Sequence, residues 1–214
     1  MIQAVILDLD GVVVSTDEQH YQAWQRLADE EGIPFDRETN HRLRGVSRMA
    51  SLEIILERAT RDYSDDEKAE MAARKNGYYR QMLAAMSPEA ILPGVMDLLD
   101  AVRACGVALA VASSSRNTPY ILERIGLDDY FDAVADGNDI THSKPDPEVF
   151  LLAAERLGVA PDNCLVVEDA RAGIEAALAG GMKALGVGDA AGDDRADATA
   201  PDLSAVTVDD LLAM

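Results

Sequence analysis

Short apolar runs separated by helical patterns are the feature that most constrains the fold of this chain. A first run ends at residue 7, and further runs follow at 107–112, 133–135, 164–167 and 183–187. Helical patterns lie between the later runs, at 119–125, 147–157 and 170–179. Strands that alternate with helices form right-handed βαβ units and a parallel sheet. The sequence therefore predicts an α/β fold built on a parallel sheet.

A long segment without any strand pattern separates the first two predicted strands. Helical patterns cover 18–31, 37–43, 50–59 and 65–86, and turn residues at 32–34, 44–47 and 62–64 break them apart. We predict an all-helical module at 15–86, inserted into a core that comprises 1–14 and 87–214. We expect a core helix at 94–104, before the second strand. Near the C-terminal end we expect a loop at 188–201, then a short strand and a helix at 208–212.

The charge of the chain restricts its partners. It has 39 acidic residues against 19 basic ones, a formal net charge of −20, which argues against nucleic acid or an anionic membrane surface as a partner. No window approaches the roughly 18 apolar residues of a membrane span, and we identify no targeting signal. We expect Cys105 and Cys164 to be free thiols, as in a cytoplasmic protein, and we expect a monomer.

Carboxylates follow two of the predicted strands. Asp8 and Asp10 come directly after the first strand, with Gly11 allowing a close turn, and Glu168 with Asp169 follow the strand at 164–167. Open α/β sheets bind ligands at this carboxyl edge. Carboxylates suit a hard cation such as Mg²⁺, and Asp8 could also attack phosphorus. Each pair alone is equally compatible with an ordinary turn or helix cap.

Groups that suit a phosphate follow two other strands. Residues 113–117 read Ser-Ser-Ser-Arg-Asn and offer hydroxyls and backbone amides. Lys144 lies just before a predicted helix, whose N-terminus also favours an anion. Alone, these segments are equally compatible with a solvated loop and a helix start. Together with the carboxylates at other strand ends, they supply a nucleophile, metal ligands and an anion clamp, so we interpret all four segments as one site.

Taken in their order along the chain, the four segments resemble the four motifs of the haloacid dehalogenase superfamily of phosphotransferases. The resemblance covers essentially the whole chain. It implies a Rossmann-like parallel sheet core with helices on both faces and a helical cap that selects the substrate. It implies Asp8 as the nucleophile that becomes an aspartyl-phosphate and Asp10 as the general acid and base. The transferring phosphoryl group would be held by Ser113, Ser114 and Lys144. The implied ligands of Mg²⁺ are Asp8, the backbone carbonyl of Asp10, Glu168 and Asp169.

Part of the predicted cap resembles the substrate loop of the sugar-phosphate mutases in that superfamily. The similarity is carried by residues 43–52, Leu-Arg-Gly-Val-Ser-Arg-Met-Ala-Ser-Leu. On that resemblance, Arg48 would bind the phosphate that is not being transferred, because a guanidinium grips phosphate in a bidentate manner and keeps its charge. The full set of implied substrate contacts is Thr16, His20, Gly45, Val46, Ser47, Arg48, Ser51, Lys75, Ser115, Arg116 and Asn117.

The resemblance to the mutases implies the interconversion of β-glucose 1-phosphate and glucose 6-phosphate through a β-glucose 1,6-bisphosphate intermediate. Two alternatives stay open. A sugar-phosphate phosphatase of the same fold would let water resolve phospho-Asp8. A non-catalytic module that binds a phosphorylated ligand would need no nucleophile, so the presence of both Asp8 and Asp10 counts against it.

Overall fold

A computed structural model describes residues 1–43 and 46–214. Its strands form one parallel sheet in the order β3-β2-β1-β4-β5-β6. They are β1 (Ala4–Leu7), β2 (Ala108–Ala112), β3 (Ala133–Ala135), β4 (Cys164–Glu168), β5 (Lys183–Gly186) and β6 (Ala198–Thr199). Because β1 pairs with both β2 and β4, the segment that follows β1 lies near the middle of the carboxyl edge. The predicted parallel α/β fold is confirmed.

Helices of the chain fall into two groups. The cap helices between β1 and β2 are α1 (Asp17–Glu31), α2 (Arg37–His41), α3 (Arg48–Leu56) and α4 (Asp65–Leu83). The core helices are α5 (Val95–Ala104), α6 (Thr118–Ile125), α7 (Glu148–Leu157), α8 (Arg171–Ala179) and α9 (Val208–Leu212).

Side chains of the central strand alternate between two apolar layers. Leu7 belongs to the same buried cluster as Leu99 of α5, whereas Ile6 belongs to the cluster that includes Phe150 of α7 and Ile174 of α8. Both faces of the sheet are therefore covered by helices, as predicted. This explains why β1 is apolar at every position rather than at every second one.

The helices α1 to α4 have an apolar core of their own. Trp24 and Leu27 of α1, Leu52 of α3 and Met71 of α4 are buried in one cluster. This confirms an all-helical cap inserted between β1 and β2. The boundaries predicted at residues 15 and 86 stay a prediction.

Two neighbouring chain segments connect the cap to the core. Val14 and Ile91 form an isolated antiparallel bridge, and the N–H of Leu92 donates to the carbonyl of Val13 over 2.9 Å. Since the outgoing and returning segments lie side by side, the cap is attached at one place, which suits a hinge.

The C-terminal part of the core differs from the prediction. β6 lies inside the segment predicted as a loop, and residues Leu203–Ala205, where a strand is predicted, form a 3₁₀ turn. The reason for the turn is local, because the side chain of Asp202 accepts the N–H of Ser204 over 2.8 Å and competes with extended backbone. Within residues 1–43 and 46–214, no helix is long and apolar enough to cross a membrane.

Candidate active site

A cavity of about 1220 Å³ lies between the cap and the carboxyl edge of the sheet. Sequence-predicted site residues from both domains line it: Asp8, Asp10, His20, Val46, Ser47, Arg48, Ser51, Lys75, Ser113, Ser114, Ser115, Arg116, Asn117, Lys144, Glu168 and Asp169. The predicted contact at Gly45 lies outside the described residues. The fold thus brings together side chains that are up to 161 positions apart in sequence, from Asp8 to Asp169.

Lys144 links the segments that follow β1 and β4. Its Nζ donates to Oε2 of Glu168 over 2.7 Å, to the carboxylate of Asp8, and to the carbonyl of Ala112 over 3.3 Å. Burial alone would lower the pKa of Lys144, but the charges of Asp8 and Glu168 hold it above its ordinary value. The side chain of Lys144 is therefore a permanent, buried cation.

Asp8, Glu168 and Asp169 form a carboxylate cluster. One oxygen of each lies within 4.8 Å of the others. Burial and then the charge of Glu168 raise the pKa of Asp169, and burial also raises the pKa of Glu168. A bound cation would relieve this repulsion, and an all-oxygen donor set suits a hard divalent ion. The carboxylate cluster therefore fits a divalent metal, and the carbonyl of Asp10 as a further ligand stays a prediction.

Two glycines let the backbone approach these carboxylates. A Cβ on Gly173 of α8 would lie 2.0 Å from the carboxyl carbon of Glu168, and one on Gly11 would lie 2.0 Å from Oδ2 of Asp169. Gly11 also has a φ of 87°, a conformation that side-chain-bearing residues rarely adopt. Gly11 is evident from its place directly after the carboxylates, whereas Gly173 was not predicted, because its only signal is a glycine inside a helical pattern.

Asp10 is held by a hydrogen-bond chain that begins in the cap. The hydroxyl of Tyr79 on α4 donates to Oγ1 of Thr16 over 2.9 Å, and Thr16 donates to Oδ1 of Asp10. Burial and the charge of Asp8 raise the pKa of Asp10 to about 7, although the Thr16 hydrogen bond opposes them. A carboxyl group with such a pKa is suited to exchange a proton near neutral pH.

Thr16 and Tyr79 link the cap to Asp10, and the role of Thr16 as a substrate contact stays a prediction. Among the described residues, Thr16 is not one of those that line the cavity, although it is predicted as a substrate contact. It precedes α1, yet its hydroxyl does not cap that helix and donates to Asp10 instead. Tyr79 was not predicted as a site residue, but it lines the cavity four residues after Lys75, and this helical spacing was the available signal.

Lys75 is a buried amine at the cap side of the cavity. Its Nζ lies 2.9 Å from Nδ1 of His20 and 4.6 Å from the centroid of the Trp24 ring. Burial, followed by the charge of Arg48, holds the pKa of Lys75 well below its usual range. Burial and the neighbouring Lys75 also lower the pKa of His20. An anionic ligand in the cavity would stabilise the charged form of Lys75.

The predicted substrate loop ends at the start of α3. Ser47 caps this helix, since its Oγ accepts the N–H of Ala50 over 3.2 Å, and Arg48 is the first helical residue. Arg48 and Arg116 both line the cavity, and burial, followed by the charge of Arg116, lowers the pKa of Arg48. Neither forms an ion pair with an acidic side chain of residues 1–43 or 46–214. The pair fits an anionic ligand that would bridge cap and core.

The loop after β2 presents hydroxyls and amides to the cavity. Oγ of Ser113 accepts the N–H of Ser115 over 3.1 Å, which folds the loop back on itself. The Oγ of Ser114 is buried and has no hydrogen-bond partner among the described residues. A Cβ on Gly137 would lie 2.3 Å from the carbonyl oxygen of Ser114, so a neighbouring loop packs directly on this backbone. A buried hydroxyl without a partner fits a site that a polar ligand completes.

Sequence comparison relates the chain to enzymes of phosphorylated sugars. A curated β-phosphoglucomutase of Bacillus subtilis (strain 168) is 45% identical over 189 residues, which cover 87% of this chain and 84% of the relative. A phosphorylated carbohydrates phosphatase of Thermotoga maritima is 32% identical over 187 residues, which cover 86% of this chain and 84% of the relative.

Structural comparison and the family model agree with these relatives. The crystal structure of a β-phosphoglucomutase from Clostridium difficile matches with a TM-score of 0.95 and 38% identity, over 100% of this chain and 96% of that one. The family model for haloacid dehalogenase-like hydrolases matches residues 2–181. The chain is therefore a phosphoryl-transferring enzyme that belongs to the haloacid dehalogenase-like hydrolase family.

Proposed function

We propose that this enzyme is a Mg²⁺-dependent β-phosphoglucomutase that interconverts β-glucose 1-phosphate and glucose 6-phosphate. The observation that carries the proposal is a cavity with two separate cationic groups, Lys144 beside Asp8, and Arg48 with Arg116. A phosphatase needs one phosphate site, whereas a mutase must bind a bisphosphate at two. The name of the 45%-identical relative supports the same assignment.

The chemical step in this proposal takes place at Asp8. Its carboxylate attacks the phosphorus of the bound bisphosphate, the bond from phosphorus to the sugar oxygen breaks, and Asp10 gives its proton to that oxygen. Lys144 and Ser113 hold the phosphoryl oxygens, and the charge of Lys144 offsets the negative charge that opposes the attack. In the opposite direction, Asp10 takes the proton of the attacking sugar hydroxyl, and phospho-Asp8 returns to a carboxylate.

Mg²⁺ fits the carboxylate cluster and would neutralise charge on the transferring group when bound. The residues that would hold it are Asp8, Glu168, Asp169 and the carbonyl of Asp10. Gly11 and Gly173 support metal binding indirectly, because they let the backbone approach Asp169 and Glu168, respectively.

The second phosphate in this proposal lies against Arg48 and Arg116, with Ser115 and Asn117 as further donors. The sugar between the two phosphates would contact cap residues, namely His20, Val46, Ser47, Ser51 and Lys75. After the first transfer, the bisphosphate leaves, turns and binds again with its phosphates exchanged. A closed cap during transfer would keep water from phospho-Asp8.

We also propose that the enzyme acts as a monomer in the cytoplasm, with residues 15–86 as the substrate-selecting domain. The cysteines support a reducing compartment, because Cys105 and Cys164 are both free thiols. The acidic surface disfavours self-association through charge repulsion.

A sugar-phosphate phosphatase is the second candidate, because the 32%-identical relative from Thermotoga maritima bears that kind of name. In a phosphatase, water would resolve phospho-Asp8, and the same core residues would serve. The difference between the two candidates therefore depends on the second cationic group, and above all on Arg48.

Replacing Arg48 separates the two candidates. We expect Arg48→Ala to lower the kcat/KM of the mutase reaction by about 100-fold, because a charge-assisted contact to phosphate is lost. Phosphorylation of Asp8 by acetyl phosphate, which has no second phosphate, should be retained. The control is Arg61→Ala, since Arg61 binds Glu67 over 2.8 Å on the cap surface. Equal loss of both reactions in Arg48→Ala would remove the support for a second phosphate site.

A further inference from the structure

Two side chains of the cap helix α4 contact the start of α6 in the core. Nδ2 of Asn117 donates to Oδ1 of Asn76 over 3.0 Å. The guanidinium carbon of Arg80 lies 4.4 Å from the centroid of the Tyr120 ring. Asn76 and Arg80 are four residues apart, so they share one face of α4. We call these four residues, Asn76, Arg80, Asn117 and Tyr120, the α4–α6 latch.

In the polar half of the latch, both polar atoms of the Asn117 side-chain amide, Nδ2 and Oδ1, form hydrogen bonds. Asn117 is only 4% exposed, and its Oδ1 also accepts from Nη1 of Arg80 over 3.5 Å. A buried amide that loses its partners carries a desolvation penalty unless water or a ligand replaces them. Separation of α4 from α6 breaks both hydrogen bonds of Asn117 and exchanges them for bonds to water, so the closed state is favoured by their modest net contribution.

The other half of the latch is a stacked cation. Arg80 forms no ion pair with an acidic side chain in the described part of the chain, and its guanidinium stacks on the half-buried Tyr120. By contrast, Lys68 on the same helix binds Glu53 over 2.8 Å, and both belong to the cap. Cap opening would thus break the Arg80 contact and leave the Lys68 contact intact.

We infer that Asn76 and Arg80 are positioning residues that hold the cap closed on the core through Asn117 and Tyr120. The latch contacts exist only when cap and core are together, and a contact made in one state shifts the equilibrium towards that state. Among the described residues, those that line the cavity do not include Asn76, Arg80 or Tyr120. Asn117 does line the cavity, so Asn76, Arg80 and Tyr120 act on the reaction through closure and through the position of Asn117, and not by their own contact with the substrate.

The catalytic consequence of the latch rests on the proposed function. An open cap admits water, so hydrolysis of phospho-Asp8 competes with transfer to the sugar. A weaker latch should raise the inorganic phosphate released per glucose 6-phosphate formed by about two- to fivefold, the effect of losing one exposed cation–π contact. The apparent KM for the sugar phosphate should rise as the closed fraction falls, while kcat at saturating sugar phosphate is retained.

A distance measurement between cap and core tests the latch without relying on the reaction. The native Cys105 is exposed in the core, Cys164 is buried, and Asp66→Cys adds a second exposed thiol at the start of α4. Spin labels on the two exposed thiols report the distance distribution, both in ligand-free enzyme and with Mg²⁺ and β-glucose 1-phosphate. We expect Asn76→Ala and Arg80→Ala to populate longer distances, and Tyr120→Phe, which keeps the ring, to leave the distribution unchanged.

The matched control for these variants is Lys68→Ala, which removes an α4 ion pair confined to the cap. An unchanged distribution in both Asn76→Ala and Arg80→Ala, or an equal shift in Lys68→Ala, would overturn the latch. A shift towards longer distances in a protein that makes no glucose 6-phosphate would keep the latch and refute the proposed function. An active mutase whose distances do not move would keep the function and refute the latch.

Discussion

Nζ of Lys144 donates to Oε2 of Glu168 over 2.7 Å, and both side chains are buried. The same ammonium contacts Asp8, so one cation balances two carboxylates at the ends of β1 and β4. A buried ion pair that loses one partner leaves an uncompensated charge, which costs more than the loss of a surface pair. We therefore expect Lys144 to stabilise the metal-free fold as well as to serve the proposed reaction.

We expect Lys144→Met to lower the free energy of unfolding of the metal-free protein by about 3 kcal/mol and the rate of Asp8 phosphorylation by about 1000-fold. Urea denaturation with and without Mg²⁺ measures the first effect. Mg²⁺ should stabilise the variant more than the parent, because it would compensate the unpaired carboxylates. The control is Lys68→Met on the cap surface, and equal unfolding midpoints for the two variants would contradict this role.

Gly173 lies next to Glu168, which is a member of the carboxylate cluster. A Cβ at position 173 would lie 2.0 Å from the carboxyl carbon of Glu168, whereas no atom of the described residues lies within 4 Å of a Cβ on Gly77. We expect Gly173→Ala to weaken Mg²⁺ binding by about 10- to 100-fold, because Glu168 must move. Calorimetric titration with Mg²⁺ tests this, and Gly77→Ala should bind as the parent does. Parental affinity in Gly173→Ala would show that Glu168 does not support the metal.

Tyr79 should act on Asp10 through Thr16. Because the Tyr79 hydroxyl donates to Thr16, the single hydroxyl proton of Thr16 is directed to Asp10. We expect Tyr79→Phe to lower kcat about tenfold with little change in KM, since one hydrogen bond of the chain is lost and the ring contact with His20 is kept. Steady-state kinetics measure both constants. A parental kcat would show that Thr16 orients Asp10 without Tyr79.

The raised pKa of Asp10 gives a pH dependence of defined sign. Donation of a proton to the leaving sugar oxygen requires the protonated form, so phosphorylation of Asp8 by the bisphosphate should slow as pH rises through about 7. Transfer from phospho-Asp8 to a sugar hydroxyl requires the carboxylate and should accelerate over the same range. A bound divalent cation would move both changes to lower pH, because it offsets the charge of Asp8.

Single-turnover rates of the two half-reactions as a function of pH measure this dependence. Asp10→Asn should strongly lower the rates of both half-reactions, and the residual rates should not depend on pH in this range. Rates that do not change with pH from about 5 to 8 would contradict proton transfer by Asp10.

Local sequence patterns were sufficient to predict five of the six strands that the structure describes. β1 lies where the first apolar run predicts it, and β4 extends the predicted strand by one residue to Glu168. A buried parallel strand is apolar at every position, so its carboxyl end is visible in sequence, and the site lies at these ends. β6 was not predicted, because two residues in an Asp-, Ala- and Gly-rich segment carry no strand pattern.

Contacts between segments that are distant in sequence could not be predicted from local sequence patterns. The resemblance implies Thr16 as a substrate contact, which stays a prediction. Its hydrogen bonds to Asp10 and from Tyr79, 63 positions away, depend on tertiary packing and were not predicted. Gly173 is required because α8 lies directly against Glu168, which depends on tertiary packing and not on a local preference. The α4–α6 latch likewise depends on how the cap is placed on the core.

The ratio of glucose 6-phosphate formed to inorganic phosphate released tests the central claim most directly. It is measured with β-glucose 1-phosphate, a trace of β-glucose 1,6-bisphosphate and Mg²⁺. The proposed mutase converts the substrate to glucose 6-phosphate with little release of inorganic phosphate. Release of inorganic phosphate without glucose 6-phosphate would contradict the proposal and identify the enzyme as a phosphatase.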